Sequence, residues 1–501
     1  MTLFRGKARA MAVLLGASAL AAPVGAMAKA APALTAREAA LLARLEKLEA
    51  EVSQLRADAA TARQQQGEAV MAAQIAAQIA AQSANTQASA AAQIAQSAAQ
   101  EAKATGERVA AVEKKPVPEG MRVGATNIRI GGFLKFNAEY SHFDGGAVAT
   151  NTLGRDFYLP QAIPVVTPTS RSSTDTDFSA KQTRIWLNLD TTVAGHTVRG
   201  YLETDFQTTA SAAANVTGGG SQRTTNGYTL ALRRAFVQLD KWTFGQDWTT
   251  FQNTAVLPES TDFVGATEGT VFVRQPLVRY STPLSKVATL HVSVENPESA
   301  TANAGAAALV ENGTDHLPDF AARLNYMTKR GEISFAALGR QVRTEVSGAG
   351  LTRAGIGGSV AGKIFLNEKR ASDLRFSATY GQNIGRYVGL NFAPDAVFVA
   401  ATNSLADVRV FAALAAARIA ITPTLRVNVI GSMQSADYDG SLSPTAIAAY
   451  NKKAWSGAVN MFYSPVKAID LGIEYRHGQR ELVNGQKGNI DRLEFAARYN
   501  F

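Results

Sequence analysis

Leu493-Glu494-Phe495-Ala496-Ala497-Arg498-Tyr499-Asn500-Phe501 ends the chain. Leu493, Phe495, Ala497, Tyr499 and Phe501 occupy one parity, while Glu494, Arg498 and Asn500 occupy the other. Period two is the signature of a strand with one apolar and one polar face. The same alternation runs through Leu134-Lys135-Phe136-Asn137-Ala138-Glu139-Tyr140, Leu290-His291-Val292-Ser293-Val294 and Leu425-Arg426-Val427-Asn428-Val429. Ile185-Trp186-Leu187-Asn188-Leu189 follows it with Trp186 as the exception. Sixteen such runs are expected, near 128–141, 178–191, 196–207, 228–240, 242–250, 270–281, 287–296, 318–329, 331–342, 354–366, 372–384, 405–421, 424–436, 452–463, 467–479 and 489–501. Most reach the 9–11 residues, or about that, that a tilted strand needs to cross a bilayer.

The links between runs alternate in length. Long ones are expected at 142–177, 208–227, 251–269, 297–317, 343–353, 385–404, 437–451 and 480–488, and each intervening link is five residues or fewer. A membrane barrel has short turns at one end and long loops at the other. A secreted sandwich or propeller would not sort its connections in this way, and its strands would be shorter. The fold class expected is therefore an all-β transmembrane barrel of about sixteen antiparallel strands. It spans 116–501 and is preceded by an N-terminal α-helical coiled coil. An even strand count leaves both barrel ends on the short-turn side, the periplasm.

Upstream, Met1–Arg9 is basic, Ala10–Gly25 is apolar, and Ala26-Met27-Ala28 fits small-x-small cleavage. Residues 1–28 read as a signal peptide and the mature chain as exported. In 29–115, Leu34, Leu41, Leu45, Leu48, Val52 and Leu55 keep heptad spacing, giving one apolar seam about 33 Å long. The seam then fades into an Ala/Gln-rich spacer, and Pro116 and Pro118 stop any helix. So narrow a stripe calls for partner chains.

Net charge is +9, of which Arg5, Lys7 and Arg9 leave with the signal. The remaining surplus is too interleaved for a nucleic-acid surface. Absence of Cys excludes a disulfide scaffold and a thiolate site. No metal or cofactor is implied by the five scattered His. The only nucleophile–base candidates are His291 near Ser293 and His142 beside Ser141, which suit a pore wall better than an enzyme. A plugged transporter would need a globular plug that 64–126 is too Ala/Gln-rich to form.

With the apolar parity toward lipid, Arg184, Asn188, Arg199, Glu203, Arg234, Gln238, Arg279, Arg323, Arg340, Arg375, Arg426, Arg476, Arg492 and Arg498 face a wet lumen. Such arginines either form ladders with acids or favour anions. Residues 116–501 hold 37 Lys+Arg against 32 Asp+Glu, a mild bias. Arg274 and Arg279 lie on opposite parities, and a bulge at Pro276 between them would turn both inward. The link Phe251–Gly269 mixes apolar residues with Glu259 and Asp262, as a constriction loop folded into the lumen would.

Several stretches resemble the DcaP-like outer-membrane porins. They include Gly131-Gly132-Phe133-Leu134-Lys135-Phe136, Asp156-Phe157-Tyr158-Leu159-Pro160, Thr183-Arg184-Ile185-Trp186, Arg233-Arg234-Ala235-Phe236-Val237 and Phe244-Gly245-Gln246-Asp247-Trp248. Leu257-Pro258-Glu259, Gly269–Tyr280 and Glu295-Asn296-Pro297-Glu298 continue the series in the same order. The resemblance is dense over 127–299 and implies a homotrimer of sixteen-stranded barrels, often with a periplasmic coiled coil. It also implies uptake of dicarboxylates and similar anions through an Arg-lined constriction. Carried over by position, Arg184, Arg233, Arg274 and Arg279 fall in that constriction, although strand parity selects Arg234 rather than Arg233. The expected function is an outer-membrane porin for small hydrophilic solutes with a preference for anions, its partners being small anionic solutes, outer-membrane lipid and its own copies. The rival reading is an envelope tether or adhesin whose coiled-coil stalk reaches toward peptidoglycan and whose pore is incidental.

Overall fold

The computed structural model describes residues 120–207, 225–346 and 348–501, with a few isolated helical positions in an N-terminal unit, Met1–Ala99. Apart from those positions, the expected signal segment, heptad and Ala/Gln spacer lie outside the described residues.

In chain order the strands are β1 Met121–Val123, β2 Thr126–Phe143, β3 Ser173–Ser179, β4 Arg184–Val193, β5 His196–Asp205, β6 Ala231–Leu239 and β7 Trp242–Trp248. They continue as β8 Arg274–Pro283, β9 Ala288–Glu295, β10 Ala300–Asn303, β11 Ala306–Glu311, β12 Asp319–Thr328, β13 Gly331–Val346 and β14 Ala349–Phe365. The last are β15 Asp373–Gln382, β16 Ala396–Val399, β17 Ser404–Ala420, β18 Leu425–Tyr438, β19 Asn451–Val466, β20 Ile469–Leu482 and β21 Lys487–Asn500. β3 and β4 are two halves of one stave, both paired with β2. Between the halves, Lys181 turns its Nζ onto Asp156 at 2.7 Å. With that stave counted once, and with β1, β10, β11 and β16 set aside, sixteen antiparallel staves pair in sequence. β21 pairs back onto β2 and closes the barrel. All sixteen expected runs fall on these staves.

Closure depends on two glycines. Phe501 and Gly132 exchange backbone hydrogen bonds of 3.0 and 3.1 Å. Gly132 has φ +155, and a Cβ there would overlap the carbonyl oxygen of Arg184. A Cβ on Gly131 would run into the ring of Trp186, its cross-strand partner. Trp186 breaks the apolar parity because it covers that glycine.

Two links differ from expectation. β13 and β14 extend until Val346 pairs with Ala349, and β20 and β21 leave only 483–486 between them. Both were expected as longer loops. The polar residues there continue the strand alternation above the apolar band, which apolar patterning alone does not register. β10, β11 and β16 form a small sheet laid against the upper half of β17.

The 249–273 link identifies the inner face. Its residues bond side chains of β12, β13, β15, β18, β19, β20 and β2. A single loop reaches staves all round the ring only from inside. The opposite face of those staves carries exposed Leu134, Phe320, Phe335, Val429, Val459 and Ile473. Inside, a core of Phe251, Val271, Ile384, Tyr387, Val388 and Phe392 packs this loop and the 383–403 link against β17. The first stave, β2, begins and the last, β21, ends at the end that carries the short links.

Candidate functional site

Arginines on the inner face divide by partner. One group staples loops to the wall. Arg323 donates to the carbonyls of Thr250 (3.2 Å) and Gln252, and Arg375 to that of Leu257. Arg426 grips Glu259 with two bonds, at 2.5 and 2.7 Å. Arg340 lies 2.8 Å from Asp395 and 3.4 Å from Asp319, whose carboxylate also accepts from Tyr387 Oη. Arg476 pairs with Glu474 beneath the Tyr158 ring, and Arg480 donates to the carbonyl of Ile163. Arg492 spans Glu139 (3.4 Å), Ser141 and the carbonyl of Gly154. A guanidinium has five donors in a fixed fork, so one side chain can satisfy a wall acid and a loop carbonyl together.

The second group stands on β4 to β8. Between β5 and β6 the register shifts at Glu203/Thr204, leaving Arg233 as the extra residue of a bulge. The bulge turns Arg233 to the same side as Arg234. Arg233 bonds Glu203 at 2.7 Å and Asp205 at 2.6 Å, while Arg234 bonds Asp247 at 2.6 Å. Arg184 lies 3.6 Å from Glu203 and 3.5 Å from Asp205, and Arg279 shares Asp247. Arg274 has no carboxylate within 4.0 Å among the described residues. Its guanidinium rests 5.1 Å from the Trp248 ring, and Arg233 lies 6.0 Å from the same ring. The bulge expected at Pro276 is absent: Gln246, Pro276 and their neighbours stay in register through β7 and β8. Pro276 lies on the outward parity, and its carbonyl accepts from Asn296 N at 2.9 Å. Arg274 keeps the opposite parity from Arg279 and reaches the group over Trp248, from the start of its strand.

Both loop acids have partners inside the barrel. Glu259 also accepts from Asn428 at 3.4 Å. Asp262 caps its own turn by accepting from the backbone of Val264 and Gly265, both at 2.9 Å, and holds Tyr158 N at 2.7 Å. Farther along, Glu268 is fully buried and accepts from Ser432 Oγ at 2.9 Å. Burial pushes its carboxyl above the usual range, against the hydrogen bonds that favour the anion.

Neither histidine pair assembles. His291 Nδ1 meets Ser281 at 2.8 Å, while Ser293 donates to Glu295. His142 meets Thr174, and Ser141 accepts from Arg492.

Sequence reading placed Glu203 inward but missed Asp205 and Asp247, the other two acids of the cluster. Asp205 keeps the parity of Arg199 and Glu203, and Asp247 the parity opposite to Trp242 and Phe244, so alternation alone could have found them. It also missed Lys363 and Arg418, which sit on the inner parity of β14 and β17. The aromatic rings under Arg234, those of Tyr201 (4.7 Å) and Phe236 (5.3 Å), carry no signal of that contact in sequence.

Comparison with known proteins agrees with this architecture. The DcaP outer membrane protein family model matches residues 111–501. The crystal structure of the outer membrane channel DcaP of Acinetobacter baumannii is 25% identical, with a TM-score of 0.62, and covers 77% of this chain and 100% of its own. OmpT of Vibrio cholerae is 9% identical with a TM-score of 0.47, covering 77% and 100%. An anion-selective porin from Comamonas acidovorans is 12% identical with a TM-score of 0.46, covering 75% and 100%. A search of curated protein sequences finds no match. A closed ring of sixteen staves, an inner face crossed by its own loops and a family match over more than three quarters of its length place this chain in the DcaP outer membrane protein family, as an outer membrane channel of the porin type.

Proposed function

We propose that this porin is a passive diffusion channel for small hydrophilic solutes that prefers anions such as dicarboxylates, and that the β4–β8 arginines set the preference. One observation carries the reading. Arg184, Arg233, Arg234 and Arg279 share three carboxylates, Glu203, Asp205 and Asp247, and a fifth arginine beside them, Arg274, contacts none of these acids. Two positive charges therefore stay uncompensated on one stretch of inner wall. Walls of low dielectric make such a surplus felt by a passing ion. A guanidinium stays charged at physiological pH and matches the carboxylate fork. Elsewhere on the wall, Arg323, Arg375 and Arg480 are committed to loop carbonyls.

The test is the reversal potential of the purified protein in planar bilayers across a KCl gradient, together with dicarboxylate flux into liposomes. Wild type is expected to be anion-selective. Arg274→Ala is expected to lose the most selectivity, with Arg184→Ala next. Arg279→Ala, which leaves Asp247 to Arg234, is expected to lose less. A cation-selective wild type, or three variants that match it, would overturn the assignment. A protein that does not conduct would favour a tether with a stalk instead.

A further inference from the structure

Glu259 sits in what has the form of a binding site for something else. Its carboxylate accepts two parallel bonds from Arg426, the fork-to-fork geometry that guanidinium makes with a free carboxylate. A second guanidinium, Arg418, approaches to 3.8 Å, and Asn428 donates at 3.4 Å. Arg418 is about one third exposed, its Nε has no hydrogen-bond partner, and Glu259 is 22% exposed, so the pair opens on the lumen. Next along the wall, Lys363 faces Arg375 directly across β14 and β15, and Asp373 faces Arg418 across β15 and β17. Lys363 lies 3.8 Å from Asp373, its only ion-pair partner among the described residues. Neighbouring strands are about 4.8 Å apart, so these bases span roughly 10 Å of wall, the reach of a small dicarboxylate.

The loop does not need Glu259 to stay in place. Asn460 holds the carbonyl of Glu259 at 2.9 Å, and Ser260 Oγ donates to Glu474 at 2.7 Å. Lys135 holds the carbonyl of Thr261 at 2.5 Å, and Arg375 holds that of Leu257. Arg426 likewise keeps Asp470 at 3.0 Å and Ser464 when Glu259 leaves. The backbone is fixed by other groups, and the carboxylate is free to exchange.

We propose that Arg426, Arg418 and Asn428 form a carboxylate-binding site on the inner wall, separate from the β4–β8 cluster, and that Glu259 occupies it as the channel's own competitor for a permeating dicarboxylate. This rests on the anion-preferring reading above. A permeant carboxylate displaces Glu259 and takes its two bonds from Arg426. Glu259 then returns and expels the permeant, which keeps residence short, as conduction requires.

The probe is succinate, added to planar bilayers in KCl, with its half-saturating effect on chloride conductance as the readout. A tethered carboxylate acts at an effective concentration in the millimolar range, so Glu259→Gln is expected to lower the half-saturating succinate concentration about tenfold. Arg418→Gln in the same background is expected to reverse most of that gain. Glu332→Gln removes the same charge from the neighbouring wall, where no arginine grips the carboxylate, and is expected to leave the succinate value unchanged. The heat-modifiable mobility of each variant reports whether its barrel is intact. Equal half-saturation for wild type and Glu259→Gln in an intact, anion-selective channel would overturn this site and leave the β4–β8 reading standing. Equal gains from Glu259→Gln and Glu332→Gln would reduce it to a general charge effect and overturn it too. A cation-selective wild type would instead defeat the parent reading.

Discussion

Arg233 and Arg234 are neighbours in sequence, and both turn to one side of β6. Simple alternation forbids this, and the bulge opposite Glu203/Thr204 permits it. Which of two adjacent arginines faces in cannot be read from β6 alone, because the register belongs to the pair of strands. The glycines at the barrel seam are the opposite case, where one residue decides the local backbone. Gly132 has φ +155 and no room for a methyl group against Arg184. Strain of this type costs about 1–3 kcal/mol. Gly132→Ala is therefore expected to lower barrel stability by about that amount or more, read as a fall in the urea midpoint of unfolding from detergent. Gly457→Ala, in a strand with nothing within 4 Å of the new methyl, is expected to shift it by no more than about 0.5 kcal/mol. Similar midpoints for the two variants would show that closure does not depend on the seam.

The staves were legible because a strand between lipid and water must alternate. β21 shows why: Leu493 and Phe495 are exposed on one face while Arg492, Glu494 and Ala496 are buried on the other. The ends of β13, β14, β20 and β21 were not legible, since above the apolar band the outward residues turn polar while inward Val342, Leu482 and Ile490 are apolar and buried, so the pattern inverts. The 249–273 loop was legible in kind, from apolar residues mixed with acids, but its anchors were not. Those anchors join residues over a hundred positions apart, such as Arg426 with Glu259. One anchor carries a pH signature. Glu268 is buried under Ser432 and Tyr158, and its folded carboxyl is raised above the ordinary 4.5. The folded protein thus binds that proton more tightly than the unfolded chain. Its contribution to stability is complete below about pH 4.5 and is lost as pH rises through the raised folded value. Thermal unfolding in detergent, followed by circular dichroism from pH 4 upward, is expected to show wild type losing stability over that window. Glu268→Gln cannot ionise and is expected to lack that part of the decline. Parallel pH profiles would show that the proton is shed without cost.

At the scale of the whole molecule, β2 begins and β21 ends at the end of the barrel that carries the short links. In outer-membrane barrels that end faces the periplasm, so a helix formed by Leu34–Leu55 would hang there. A single apolar seam gives such a helix nothing to bury in isolation, while three copies meeting at the seam would bury six layers of Leu and Val. Each buried Leu is worth about 1.5–3 kcal/mol, before the entropy of ordering the segment is charged against it. The long Ala/Gln stretch after the heptad separates it from the barrel in sequence, so the two sets of contacts add up only if the spacer lets three helices meet. Linked binding events strengthen one another when the linker spans the distance, and contribute nothing when it does not. In a homotrimer, deletion of residues 29–115 is therefore expected to lower the temperature at which the three chains dissociate in detergent. The single-channel conductance should stay unchanged, because the staves and the loops that cross the lumen all lie after residue 120. A lower temperature with constant conductance identifies the heptad as an assembly element. An unchanged temperature leaves the barrels to hold the oligomer by themselves and the segment as a tether, and a changed conductance would mean that the segment reaches the pore.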